Sequence, residues 1–530
     1  MDAVKRLLLP MIAALTAALA FTLPAAAQEP APTPLEESFE AAQWADLSVT
    51  AQALARAAGR NSATSPELKT LIDRLETAKK EYEALDQAAN AARGGASEAA
   101  KFKAKTLAEA ADQAHAEVET LSAELAQKYP AYDSLVAPFP IGLKQTQGLL
   151  RPDEALVMIH PTPNGTYIFA LRNGDAQWFR TDATTDSLRP DVDAMRFALD
   201  PGREALRGAA SHPGGLPTQF TFSRQTAYRL YQQVFAPAQP VIKDAKVVYI
   251  VASGPLSHLP LSVLVTTPPK GNDLDVRALR KTDWLIKSYA LATLPSVNSL
   301  KFLRQARNDA APGRGFLGFG SPDLATDGKT RDLVPLPGAQ TELLAMAKLM
   351  NADTGKQVYT GAQATEKAVR ENDLSNVRII AFATHAVRAG EVEGMDEPAL
   401  VLTEGGVSGD ANNDGFLTAS EAANLRLNAD WVILSACNTA SGRKKAGDDN
   451  DEVLSGLARG FLASGAHSLI VSHWRVSDQA AAQLTSAAVG YYVGGKGRAE
   501  ALQTAMLDML ARGDATPANW AAMVVVGEAR

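Results

Sequence analysis

Short stretches that are apolar almost without interruption constrain this chain more than any other feature. Val247 to Ala252, Gly315 to Gly320, Arg378 to Thr384, Ala399 to Thr403, Trp431 to Ala436 and Ser468 to Ser472 all lack the alternation of a half-exposed strand. Strands that read this way are buried on both faces, and the helical patterns between them supply the cover. The expectation is an α/β fold, a mainly parallel sheet between helical layers, with function at the carboxyl ends of its strands.

The region before these strands divides further. Ala155 to Ile159, Tyr167 to Leu171 and Trp178-Phe179 are separated by Asn164-Gly165 and Asn173-Gly174, which are hairpin signals, and a helix is expected from Arg224 to Phe235. Closer to the N-terminus, apolar residues at Leu68, Ile72, Leu75, Tyr82 and Leu85, then Val118, Leu121 and Leu125, fall at helical spacing, with Gly94-Gly95 as a break. That pattern predicts a helical hairpin behind an earlier helix from Ser38 to Arg60. The domains expected are thus a helical segment (28–135), a mixed α/β segment with hairpins (136–240) and an α/β domain (241–530). No 34-residue tetratricopeptide period is present.

Residues 1–27 read as a secretory signal peptide: Lys5 and Arg6, an apolar run from Leu7 to Leu23, and Ala25-Ala26-Ala27 before Gln28. Cleavage after Ala27 would leave a periplasmic or secreted protein with no stable membrane insertion. A net charge of -7 leaves no broad basic field for a polyphosphate backbone, so nucleic acid is not an expected partner. The single cysteine, Cys437, excludes an internal disulfide, and an unpaired thiol in an exported chain is either buried or kept for its chemistry.

Two of the apolar strands end in reactive residues. Arg378 to Thr384 runs into His385, and Trp431 to Ala436 runs into Cys437. A thiolate and an imidazole at neighbouring strand ends form a nucleophile and a base. A buried, inert strand-end thiol is the competing reading, and the place of Cys437 after Leu434-Ser435-Ala436 and before Asn438-Thr439 argues against it.

Several blocks in order resemble one family: Gly254-Pro255-Leu256-Ser257-His258-Leu259-Pro260-Leu261, Leu336-Pro337-Gly338-Ala339-Gln340-Thr341-Glu342, Ala383-Thr384-His385-Ala386, Leu434-Ser435-Ala436-Cys437-Asn438-Thr439, and Gly456-Leu457-Ala458-Arg459-Gly460-Phe461 onward to Ala466. The chain from about Val241 to Arg530 is similar to the CHAT domains, caspase- and separase-like domains associated with tetratricopeptide repeats. The resemblance implies a caspase-like three-layer α/β sandwich and a cysteine endopeptidase acting on a protein substrate. Cys437 would attack the scissile carbonyl, His385 would serve as general acid and base, and main-chain N–H groups at Ala386 and Cys437 would hold the oxyanion. Many relatives place glycine after the histidine, and alanine resists positive φ. The alternative is a catalytically silent scaffold that binds protein partners through 28–135.

No cofactor is required by this reading, but one further motif matches a calcium loop. Asp410, Asn412, Asp414, the Phe416 carbonyl, Thr418 and Glu421 occupy the ligand positions of D-x-[DN]-x-[DN]-G-x5-E, with Gly415 at the turn. Thr418 and Glu421 equally fit a capping box at the start of a helix, so both readings stand at this point. After Cys437, Arg443-Lys444-Lys445 precedes Asp448, Asp449, Asp451 and Glu452, which reads as a solvated loop or a self-processing site.

Overall fold

A computed structural model of the chain describes residues 33–46, scattered positions between 70 and 88, and residues 98–128, 140–200, 221–309, 315–324, 330, 333–392, 395, 397–405, 413–436 and 456–530. The signal peptide expected at 1–27, the Gly94-Gly95 break, Asp410, Asn412, Cys437 and the charge clusters at 443–452 lie outside the described residues.

The fold is α/β, built on one large sheet. Its strands are β1 (Glu154–Thr162), β2 (Gly165–Arg172), β3 (Asp175–Thr181), β4 (Val247–Ala252), β5 (Ala290–Thr293), β6 (Phe316–Gly320), β7 (Val358–Thr360), β8 (Ile379–Ala383), β12 (Trp431–Ser435), β13 (Ser468–Ser472) and β14 (Met523–Gly527), in the order β3-β2-β1-β4-β5-β14-β13-β12-β8-β6-β7. Parallel pairing joins β1 to β4, β4 to β5, β7 to β6, β6 to β8, β8 to β12 and β12 to β13. The β1–β2 and β2–β3 hairpins turn at the two expected Asn-Gly pairs, and Gly165 and Gly174 both have positive φ, as such tight turns require. Every residue of β4, β6, β8 and β13 is buried, which is what unbroken apolar runs demand.

The expectation for Ala399 to Thr403 needs correction. That segment gives β10 (Ala399–Val401), which lies between β9 (Ala386–Val387) and β11 (Phe416–Thr418) in a separate three-stranded antiparallel sheet. A four-residue apolar run, Ala399 to Leu402, does not tell which sheet buries it. The periodicity also gave no notice of β5, whose Ala-Leu-Ala-Thr sequence has no strong strand preference, or of the Val-rich β14. The main sheet runs unbroken across the boundary expected at 240/241, because β1 pairs directly with β4.

The helices that frame the sheet and the site include α1 (Glu98–Lys128), α2 (Arg224–Val234), α3 (Val297–Asp309), α4 (Pro337–Leu349), α5 (Ala419–Ala423), α6 (Gly456–Ala463) and α7 (Asp478–Val493). Successive strand residues point to opposite faces. Gly318 in β6 faces Leu343 of α4, while its neighbour Phe319 stacks on Phe382 of β8, which in turn meets Phe461 of α6. Helices therefore cover both faces, and α7 packs beside α4 on the first. Helix α6 ends in a Schellman motif, in which Ala466 N–H bonds Phe461 C=O and Gly465 N–H bonds Leu462 C=O. A short helix at residues 34–46 docks on the other half of the sheet, where Phe39 meets Phe169 at 5.6 Å and Gln43 exchanges two bonds with the Ile141 main chain.

A buried ion network ties that half together. Arg304 of α3 bonds Glu154 at 2.6 Å and Glu528 at 2.9 Å, and Tyr249 donates to Glu528 at 2.7 Å. Both carboxylates are fully buried. Burial pushes Glu528 up, but Arg304, Tyr249 and Arg151 outweigh it and hold the carboxyl down to about 2. Replacing Arg304 by Met removes the more buried of the two cations that bridge the carboxylates and leaves only the partly exposed Arg151 in contact with both, so urea unfolding near pH 7 should show a loss of about 3 kcal/mol. A lowered carboxyl pKa contributes stability above the unfolded value and loses it below. The gap between wild type and Arg304→Met should therefore close as pH falls from 4.5 towards 2. At Gly465, with φ +109°, a Cβ would lie 2.2 Å from the Leu427 carbonyl oxygen, so Gly465→Ala should cost about 2 kcal/mol or more in the same assay.

Candidate functional site

The sheet brings the two strand ends that matter side by side. β8 and β12 pair in parallel from Trp431↔Ile379 to Ser435↔Ala383, and Thr384 N–H then donates to the Ser435 carbonyl at 3.2 Å. His385 follows directly on Thr384, and Cys437 is two residues beyond Ser435. The Thr384 hydroxyl donates to the Val401 carbonyl, while Val401 N–H donates to the His385 carbonyl at 2.8 Å. The main chain around the histidine is thus clasped from β10.

The His385 ring is half-buried, and its Nε2 lies 2.7 Å from the carbonyl oxygen of Val334. A carbonyl only accepts, so Nε2 carries the proton in that bond, leaving Nδ1 of the neutral ring as a base. Ala386 lies in β9 opposite Leu400, and it is not among the described non-glycine residues with positive φ, which are Ser321 and Asn351. Alanine is therefore accommodated after the histidine without left-handed strain.

Beside these strand ends opens a pocket lined by Glu342, Thr384, Ser435, Ala436, Ser472 and Asp478, among others. Glu342 stands in α4 with 3% of its surface exposed. Its Oε2 accepts from the Ser435 hydroxyl at 3.0 Å and its Oε1 from the Thr485 hydroxyl at 2.6 Å. Burial pushes its carboxyl up to about 7, the two hydroxyls pull it down, and Asp478 adds a further upward push. The Ser472 hydroxyl donates to the Ala436 carbonyl, fixing the last described residue of the β12 end.

The residues expected to bind calcium meet other partners. Asp410 and Asn412 lie outside the described residues. Asp414 Oδ1 accepts from Phe416 N–H at 3.0 Å, and Gly415 N–H donates to buried Glu366 at 2.8 Å. Thr418 and Glu421 form the capping box of α5, and the second oxygen of Glu421 lies 3.3 Å from Arg370. Among the described residues no group of three or more His, Cys, Asp or Glu side chains is arranged to hold a metal ion.

Sequence reasoning found His385 and its strand, but it gave no role to Val334, Glu342 or Asp478. Glu342 had a signal, an acidic residue in a block otherwise suited to an apolar helix face. Val334 had none, since it acts through its main chain.

Tetratricopeptide repeat protein 28 of Mus musculus is 25% identical over 340 residues, covering 56% of this chain and 13% of that protein. The protein of the same name from Homo sapiens is 24% identical over 352 residues, covering 58% of this chain and 13% of its own. The chain thus spans only about an eighth of these relatives. Among solved structures, the Saccharomyces cerevisiae separase–securin complex aligns with 93% of this chain and 40% of its own at 10% identity and a TM-score of 0.42. The Arg-specific cysteine proteinase gingipain R aligns with 65% of this chain and 74% of its own at 9% identity and a TM-score of 0.32. The CHAT domain matches residues 224–528, from the first residue of α2 to just past β14, and since that is more than half of its length, the chain belongs to the CHAT domain family.

Proposed function

We propose that this protein is a cysteine endopeptidase working through His385 and Cys437. The observation that carries the reading is the anchoring of His385 Nε2 by the Val334 carbonyl at the end of the strand that pairs with the one leading into Cys437. An imidazole held in one tautomer beside a thiol takes its proton at Nδ1. The thiolate sulfur then bonds the scissile carbonyl carbon, and the proton passes to the leaving amine as the C–N bond breaks. Water hydrolyses the resulting thioester with the same ring as base. The N–H groups of Ala386 and Cys437 are the proposed oxyanion donors, and the pocket at Glu342 would receive the side chain before the scissile bond, the P1 side chain. Residues 1–27 are proposed to direct export.

A pooled peptide library incubated with the mature protein, with and without calcium, should yield defined cleavage products by mass spectrometry. Cys437→Ala should abolish them, and His385→Ala should lower kcat/KM by about 10²–10⁴. No cleavage under either condition, with unchanged thiol alkylation rates in His385→Ala, would overturn the reading. It would favour a scaffold that binds protein partners through residues 28–135, for which the exposure of Phe102 on α1 is the supporting observation.

A further inference from the structure

A second cavity lies under helix α8 (Arg498–Arg512), between that helix and the middle of the main sheet, and measures about 700 Å³, part of it open to solvent. Strands β4, β5 and β14 supply its sheet side. Small side chains leave room between the layers: Ala252 ends β4, and Ala499 faces it from the first turn of α8. Two 3-10 turns, Gly254–His258 and Leu261–Val263, bound it further. Of the described residues lining it, Met523 alone also lines the pocket at Glu342, so the two cavities are distinct.

The walls set what this cavity can hold. Among the described residues that line it there is no Asp, Glu, Lys or Arg, and most of the rest are aliphatic, Leu256, Leu291, Leu502 and Val526 among them. The polar groups divide in two. The Ser257 hydroxyl donates to the Gly254 carbonyl at 2.8 Å, and the Gln503 amide to the Ile286 carbonyl at 2.7 Å. Ser262 Oγ and His473 Nδ1, by contrast, belong to residues only 3% and 6% exposed and have no hydrogen-bond partner among the described residues. Burial, with Arg196 and His258 nearby, pushes the His473 imidazole well below its ordinary range, so the ring is neutral at pH 7. A buried polar atom without a partner destabilises the fold, and a ligand that supplies the partner recovers that loss. Two such atoms on the wall of one apolar cavity therefore point to a ligand with a polar end and an apolar body.

We infer that the cavity binds an uncharged amphiphile, an aliphatic chain of medium length carrying one hydroxyl. A hydroxyl both donates and accepts, so it suits Ser262 and suits His473 whichever ring nitrogen holds the proton. An ionic head group would leave water for walls that carry no formal charge, which is costly. The aliphatic walls reward each CH2 that enters. None of this rests on the peptidase reading.

The test titrates octan-1-ol calorimetrically into the full-length protein, with octanoate and octyltrimethylammonium as charged controls. Binding should saturate at one molecule per chain, and both controls should bind at least tenfold more weakly. From butan-1-ol upward, affinity should rise about fourfold per CH2 and stop rising once the cavity is filled, which adsorption to an open surface would not do. Ser262→Ala should weaken octan-1-ol about fivefold, and Ala252→Leu, which fills part of the cavity, should shorten the chain length at which affinity levels off. The chain-length series on the wild type keeps the test decisive even if Ala252→Leu fails to fold. An absence of saturable binding, equal binding of octanoate, affinity that climbs without levelling off, or an unchanged affinity in Ser262→Ala overturns the inference.

Discussion

Five consecutive residue pairs between β8 and β12 set everything at the site. Parallel strands in register lie about 4.8 Å apart, so the residues leaving their ends start a side chain's length from one another. The pairing is possible because both strands are apolar on both faces and are covered by α4 on one side and α6 on the other. A one-residue slip would turn each strand's side chains to the wrong layer and separate the ends. The register is held by the core, and the core is what the apolar runs encode.

The same strand ends serve more than one purpose. The Ser435 carbonyl accepts from Thr384 and so joins β12 to the histidine strand, while its hydroxyl holds Glu342 in the pocket. Thr384 lines that pocket and also binds the Val401 carbonyl. The position of the histidine and the shape of the pocket therefore share hydrogen bonds, and a change at either residue would be felt in both.

Much of this was legible beforehand for a physical reason. Burial on both faces leaves a direct trace in composition, which is why β4 and β13 appear with the expected bounds and β6, β8 and β12 within a residue at either end. His385 was legible because a polar side chain after such a strand stands out. β5 and β10 were misjudged or missed because four- and three-residue strands owe their place to pairing partners far along the chain. Thr418 and Glu421 showed how one spacing serves two chemistries: both oxygens of Glu421 are engaged, by the cap and by Arg370. The carboxyl of Glu342 could be read as part of a motif, but its burial is a property of the assembled layers alone.

The Val334 carbonyl has a consequence of its own. An anchor made of main chain is indifferent to which side chain stands there, and Val334 itself is largely exposed. The stretch just before α4 should therefore drift freely in residue identity while its length stays fixed, since one inserted residue would move the oxygen away from the imidazole. Comparisons that score side-chain identity would pass over this position, and only the spacing between it and the start of the helix would register its importance.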